Sequence, residues 1–205
     1  MNILLMDGLP DRFEGIPISP DYRNMIQADM ILHDPELSES MRTLLALQQL
    51  YPKIPCDMAQ AVHGLLWFYS RGRLGLDKGT NEERGGERPH KRGYDFEQDA
   101  DLIYSAFMSS YHIDLSDGEF LHWWAFLALF EGLPDDTLIK RVIYWRTADT
   151  TGMGKEERKH IAKMRKLYAL KQPESAEKLS IAELERRTKE RVAKRFAEAQ
   201  KQLNN

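Results

Sequence analysis

Apolar residues recur along most of this chain three or four positions apart, the spacing of an α-helix. The densest case is residues 116–130, in which the eleven positions from 120 to 130 include a single polar residue, His122. A helix that is apolar on almost every side must be surrounded by protein or by lipid. Eleven residues rise only about 16 Å, far less than the hydrocarbon core of a bilayer. The pattern therefore predicts a central buried helix, with Ser116 and Glu119 as its capping box.

Seven further helices are predicted from apolar stripes of the same spacing. Ser-Pro and Asp-Pro pairs at positions 19–20 and 34–35 start the first two, because proline suits the first helical turn. In the third helix, the residues expected to face the core are Met58, Val62, Leu65, Leu66 and Tyr69, with Trp67 and Phe68 broadening the apolar face. The predicted positions of the seven are residues 20–30, 35–50, 58–69, 95–111, 138–145, 155–171 and 180–203.

The start of the chain predicts a small β-hairpin. Residues 3–6 form a short apolar run, residues 7–10 have turn chemistry (Asp-Gly-Leu-Pro), and residues 12–19 return as a second strand. Pro17 would restrict this strand to an edge. The predicted fold is therefore mainly α: a compact helical domain with a small N-terminal β-hairpin and a C-terminal helical extension.

Residues 72–93 interrupt the helical pattern. They contain six glycines, six Lys or Arg and no aromatic residue, so they are poorly suited to a core and are predicted to be a flexible insertion. Two interpretations stay open: a solvated connection between helices, or a basic loop that binds an anion or nucleic acid. Four acidic residues reduce the net charge to +2, which favours the solvated connection.

Charge divides the chain into two parts. Residues 151–205 contain 15 Lys or Arg and 8 Asp or Glu, a net charge of +7, whereas the whole chain has a net charge of −3. We predict a helical body over 1–150 and a basic helical tail over 151–205. The start has no signal-peptide pattern, and the lone cysteine, Cys56, fits a reducing cytosol and is expected to be a small buried or semi-buried residue.

Candidate catalytic chemistry is sparse in the sequence. The six histidines form no H-x-x-x-H pair, and no phosphate-loop, dinucleotide or nucleophile-elbow motif occurs. His122 is expected to be a core histidine bonded to a backbone carbonyl. The carboxylates at 95, 97, 99 and 101 would scatter around a helix, where they suit its N-terminal dipole. The sequence thus predicts no catalytic site, no metal site, no cofactor and no enzymatic activity.

The predicted last helix carries a narrow apolar stripe. Such a stripe packs either back on the body or against a helix of another protein. A nucleic-acid contact through the basic tail is the alternative, although acids are interleaved among its bases. We assign partner binding to four positions of the stripe: Ile181, Leu184, Val192 and Phe196.

Several motifs also resemble a known family. They are F-E-x-D-A-x-x-I-Y-x-A-F at 96–107, Y-x-I-D-L at 111–115 and L-H-W-W-x-F-x-A-L at 121–129. Shorter matches are L-P-D-x-F-E at 9–14, D-Y-R at 21–23 and L-W-F-Y at 66–69. Together they resemble the small tail-assembly proteins of siphophages and prophages of Gram-positive bacteria over most of residues 1–170.

The resemblance implies a gene just upstream of the tape-measure gene and a non-catalytic chaperone that coats the tape-measure protein until the tail tube polymerises. It implies two partners, the tape-measure protein and, through frameshifted fusions, the preceding tail-assembly protein. It gives no catalytic residues. A structural tail component that stays in the virion is the alternative within the same family context.

Overall fold

The computed structural model describes residues 8–73 and 93–170, which form a mainly α-helical fold with one short hairpin, as predicted. The predicted strand at 3–6, the helix at 180–203 and nearly all of the 72–93 insertion lie outside these residues. In chain order the elements are β1 (Arg12–Phe13), β2 (Ile16–Pro17), α1 (Tyr22–Leu32), α2 (Glu39–Leu50), α3 (Met58–Tyr69), α4 (Ala100–Tyr111), α5 (Trp123–Glu131), α6 (Leu138–Thr147) and α7 (Lys155–Leu167).

The helix predicted to be central, α5, is at the centre of the core. Phe126 is fully buried and stacks on Tyr22 of α1 at 4.9 Å and on Phe107 of α4 at 5.1 Å between ring centroids. The helix is shorter than predicted, since it begins at Trp123 rather than at residue 116. Ser116 and Glu119 form no capping box; their amides are instead taken by nearby aspartates in tight turns, which compete with helix formation.

The hairpin lies inside the segment that was predicted to be a single returning strand. Phe13 pairs with Ile16, and the turn is at Glu14 and Gly15, both of which have positive φ angles, 48° and 82°. Two positive φ angles suit the twist of a tight hairpin, whereas the Asp-Gly pair that misled the prediction lies before it. The hairpin packs on α3 at Gly64, where a Cβ atom would collide with the Phe13 ring.

Close packing at Gly64 determines which part of the predicted apolar face of α3 is buried. Ala61, Gly64, Leu65 and Phe68 are buried, as predicted for Leu65 and Phe68, while Met58 and Leu66, also predicted to face the core, are each 49% exposed. The two small residues allow α3 to approach its neighbours closely, which counts for more than the size of the apolar side chains on the opposite side.

Helix α7 packs on α6 through a second, small core. Ile161 of α7 is buried against Val142 and Trp145 of α6, and Tyr168 stacks on Trp145 at 5.4 Å. The proposed division of the chain at residue 150 stays a prediction. Cys56 is exposed, contrary to the prediction, because it lies in the short loop that leads to the N-cap of α3.

Candidate partner-binding surface

The loop between α4 and α5 is the most distinctive surface feature in the part of the chain that the structure describes. We call residues 112–121 the acidic loop, because it contains Asp114, Asp117 and Glu119 and no lysine or arginine. The four partner-binding residues predicted from the tail, positions 181, 184, 192 and 196, lie outside the described residues, so their role stays a prediction. The acidic loop was missed because its second half, from residue 116 onward, was assigned to the central helix.

The first turn of α1 anchors the backbone of the acidic loop by hydrogen bonds. The Tyr22 hydroxyl donates to the carbonyl of Leu115 at 2.8 Å, and its backbone amide donates to the carbonyl of Leu121 at 2.9 Å. Arg23 donates to the carbonyls of Gly118 and Glu119, at 2.9 Å each, while an ion pair with Asp21 fixes its guanidinium. The backbone of the loop is therefore anchored at four carbonyls by residues distant in sequence.

Two aspartates of the loop organise its own backbone. Asp114 accepts from the amide and the hydroxyl of Ser116, at 2.8 and 2.6 Å, and these bonds lower the pKa of Asp114. Asp117 accepts from the amide of Glu119 at 2.8 Å. Gly118, with a φ of 81°, supplies the left-handed conformation that this turn requires. The loop thus has a defined shape that places its charges toward solvent.

His122 joins the acidic loop to the start of α5. Its Nδ1 accepts from the amide of Trp124 at 3.0 Å, so Nε2 carries the proton and donates to the carbonyl of Pro10, also at 3.0 Å. The prediction of a core histidine bonded to a backbone carbonyl is confirmed, and the residue is in addition the N-cap of α5. Burial lowers the pKa of His122, against a smaller opposing effect of the bond to Pro10.

The outer part of the loop is exposed and partly apolar. Phe120 is 64% exposed, and Tyr22, Leu121 and the loop residues line a shallow pocket of about 190 Å³ beside it. Phe120 thus combines an exposed aromatic ring with neighbouring carboxylates on a loop of fixed shape. This is the composition of a protein-binding surface, since aromatic residues contribute much of the affinity at interfaces. This arrangement suits the binding of a basic, partly apolar surface.

A buried ion pair lies at the N-terminal end of α4, opposite the acidic loop, and was not predicted from the sequence. Asp99 and Arg146 are 3% and 8% exposed, and both guanidinium nitrogens donate to the carboxylate, at 2.6 and 2.9 Å. Arg146 also donates to the carbonyls of Gly93 and Tyr168. Asp99 does lie at the start of a helix, as the N-cap of α4, but its buried pairing with Arg146 was not predicted. Its partner is 47 residues away, a distance over which local patterns carry no signal.

The described residues contain neither a metal-binding cluster nor a membrane-spanning helix. No group of three or more His, Cys, Asp or Glu side chains with metal-binding geometry occurs within residues 8–73 and 93–170. Over the same residues, each helix is too short or too polar to cross a membrane.

Five of the six motifs that carry the family resemblance are joined by hydrogen bonds around the acidic loop and the start of α5. The D-Y-R motif at 21–23 binds the acidic loop, which begins within the Y-x-I-D-L motif, and His122 of the L-H-W-W motif bonds to Pro10 of the L-P-D motif. The Trp124 indole donates to the carbonyl of Phe68, within L-W-F-Y, at 2.8 Å. The shared motifs therefore specify one helical architecture and the loop that it presents.

The sequence that adopts this architecture is that of a bacteriophage protein. Residues 8–170 match the sequence profile of the family described as Bacteriophage Gp15 protein, and the chain belongs to that family. Comparison with curated proteins and with solved structures gives no match.

Proposed function

We propose that this protein is a non-catalytic tail-assembly chaperone that binds the tape-measure protein in the host cytoplasm. The observation that carries the proposal is the membership of residues 8–170 in a bacteriophage family, taken with the resemblance of the same motifs to siphophage tail-assembly proteins. The preceding tail-assembly protein is a second proposed partner.

The physical chemistry of a tape-measure protein explains why such a chaperone is needed. A long amphipathic helix exposes a continuous apolar stripe, and exposed apolar surface of that size favours aggregation. A second amphipathic helix can cover the stripe by helix-in-groove packing. The proposed contact residues are Ile181, Leu184, Val192 and Phe196, whose spacing in the sequence suits one side of a helix.

Co-expression with the product of the neighbouring downstream gene tests this function. The full chain should keep that product soluble and elute with it in size exclusion at both low and high salt. Deletion of residues 175–205 should abolish co-elution and leave the helical body folded, as judged by circular dichroism. Replacement of two stripe residues, L184A/F196A, should have the same effect, whereas K189A/Q200A, two polar positions of the same segment, should not.

Other outcomes contradict the proposal. A downstream product that is soluble by itself, or a complex that survives both the deletion and L184A/F196A, would reject the assigned contact. Presence of the protein in finished virions would instead support a structural tail component. Co-purified nucleic acid, with an affinity that falls steeply with salt, would support the nucleic-acid alternative.

A further inference from the structure

Helix α7 has one side without a partner among the described residues. Ile161, 2% exposed, faces α6, and the helical period places Lys159, Lys163 and Lys166 on the opposite side. Residues 158–167 contain five Lys or Arg and no acid. We call Lys159, Lys163, Lys166 and the neighbouring Leu167 the basic face. The two glutamates of α7 lie in its first turn, at the other end of the helix from Leu167.

The basic face and the acidic loop share a second property besides their opposite charges. Leu167 is 68% exposed and Phe120 is 64% exposed, which makes them the two most exposed large apolar side chains in residues 8–73 and 93–170. Each surface therefore combines an apolar side chain with charges of one sign. Arg23 does not neutralise the acidic loop, because its charge is already paired with Asp21.

The two surfaces of one molecule are held apart by α4. The acidic loop follows the C-terminal end of α4. Leu167 lies next to Tyr168, whose carbonyl accepts a hydrogen bond from Arg146 of α6, and Arg146 in turn pairs with Asp99 at the N-terminal end of α4. Twelve residues of helix separate these ends by about 18 Å. Complementary surfaces at opposite ends of a rigid element can meet only between different molecules.

We propose that copies of this protein associate head to tail, with the basic face of one copy bound to the acidic loop of the next. Lysine heads pair with the carboxylates of Asp117 and Glu119, while Phe120 packs on Leu167 and on the apolar stems of the lysines. Such a contact is heterologous, so it produces rings or open chains rather than a closed two-fold dimer. The inference rests on two surfaces within residues 112–167 and is independent of the proposed tape-measure contact, which lies beyond residue 175.

Sedimentation velocity of the full chain, purified free of nucleic acid, tests the proposal. The wild-type protein should show species larger than the monomer that increase with protein concentration and decrease with salt. K163E/K166E should weaken self-association at least about tenfold, because it reverses the charge of one surface. D117N/E119K should do the same for the other surface; asparagine at 117 keeps the oxygen that forms the turn.

A mixture of the two variants gives the sharpest result. Each variant keeps one intact surface, so an equimolar mixture should form heterodimers although neither variant associates by itself. The charge-matched control K53E/R73E alters two exposed residues outside both surfaces and should associate like the wild type. Thermal unfolding of each variant by circular dichroism verifies that the body is folded.

Two results would overturn the proposal. The first is a wild-type protein that stays monomeric over the whole concentration range. The second is self-association that survives K163E/K166E and D117N/E119K in folded proteins. If that self-association is then lost when residues 175–205 are deleted, the contact belongs to the deleted segment.

Discussion

The two ends of α4 use charge in opposite ways. At the N-terminal end, Asp99 and Arg146 form a buried ion pair that joins α4 to α6 and, through Tyr168, to the end of α7. At the C-terminal end, Arg23 and Tyr22 bind the backbone carbonyls of the acidic loop, whose carboxylates face solvent. Buried charge connects elements at one end, and exposed charge forms a surface at the other.

This difference determines what a substitution should do at each end. A buried carboxylate that loses its cation is left desolvated and unpaired, which costs several kcal/mol of stability. An exposed carboxylate remains hydrated when it is changed, so its replacement has little effect on folding. Substitutions at the first end should thus act on stability, and substitutions on the acidic loop should act on association.

The largest expected effect is that of Arg146→Met. The variant leaves Asp99 buried without its cation and removes donors to the carbonyls of Gly93 and Tyr168. The free energy of unfolding, measured by urea denaturation, should fall by about 3–5 kcal/mol. Arg141→Met is the matched control: Arg141 is exposed and lies over the Trp145 ring at 5.1 Å, so its loss should cost less than about 1 kcal/mol. Equal losses in the two variants would contradict a special role of the buried pair.

A smaller, pH-dependent effect is expected at His122, where the acidic loop meets the core. Burial lowers the pKa of His122, so the unfolded chain binds the proton more readily than the folded one. The contribution of neutral His122 to the free energy of unfolding is fully present above the pKa of histidine in the unfolded chain, about 6.5. It is lost as the pH falls below that value, by no more than about 1.4 kcal/mol per pH unit. His122→Asn keeps an N-capping side chain but does not titrate.

Urea denaturation at pH 7.5 and 5.5 measures this effect. His122→Asn should cost about 1–2 kcal/mol at pH 7.5, through the lost bond to Pro10, and should lose less stability than the wild type on acidification. His112→Asn is the control, since His112 is exposed and has a φ of 56°, a conformation that asparagine tolerates. An unchanged pH dependence in His122→Asn would show that other groups cause the acid sensitivity.

The helices could be predicted from sequence because their signals are local. Apolar periodicity located all seven described helices, and the burial of α5 followed from its composition. Their boundaries were less accurate where two local signals competed, as in residues 114–119. There, aspartate turns were preferred to a capping box formed by Ser116 and Glu119. The single strand predicted over residues 12–19 was wrong for a similar reason. Two turn signals, at residues 7–10 and at Glu14 and Gly15, lie within ten residues, and the second one divides this strand.

The candidate surface could not be predicted because long-range contacts create it. Arg23 and Tyr22 bind carbonyls more than 90 residues away, and a backbone carbonyl leaves no signature in the sequence. The same applies to Asp99, which has the local appearance of a helix-start acid and is buried only because Arg146 reaches it. The exposure of Phe120 is equally invisible in an apolar run, since periodicity cannot distinguish its first residue from those in the helix.

The smallest expected effect is that of Tyr22→Phe, which tests how the acidic loop is held. The variant keeps the ring stacked on Phe126 and removes only the hydroxyl that donates to the carbonyl of Leu115. Unfolding free energy should fall by about 1 kcal/mol, and amide hydrogen exchange in residues 113–121 should become faster. Tyr144→Phe, at an exposed position of α6, should change neither quantity. Unchanged exchange in Tyr22→Phe would mean that the hydroxyl is dispensable, and that Arg23 and the backbone amide of Tyr22, which the variant keeps, suffice to hold the loop.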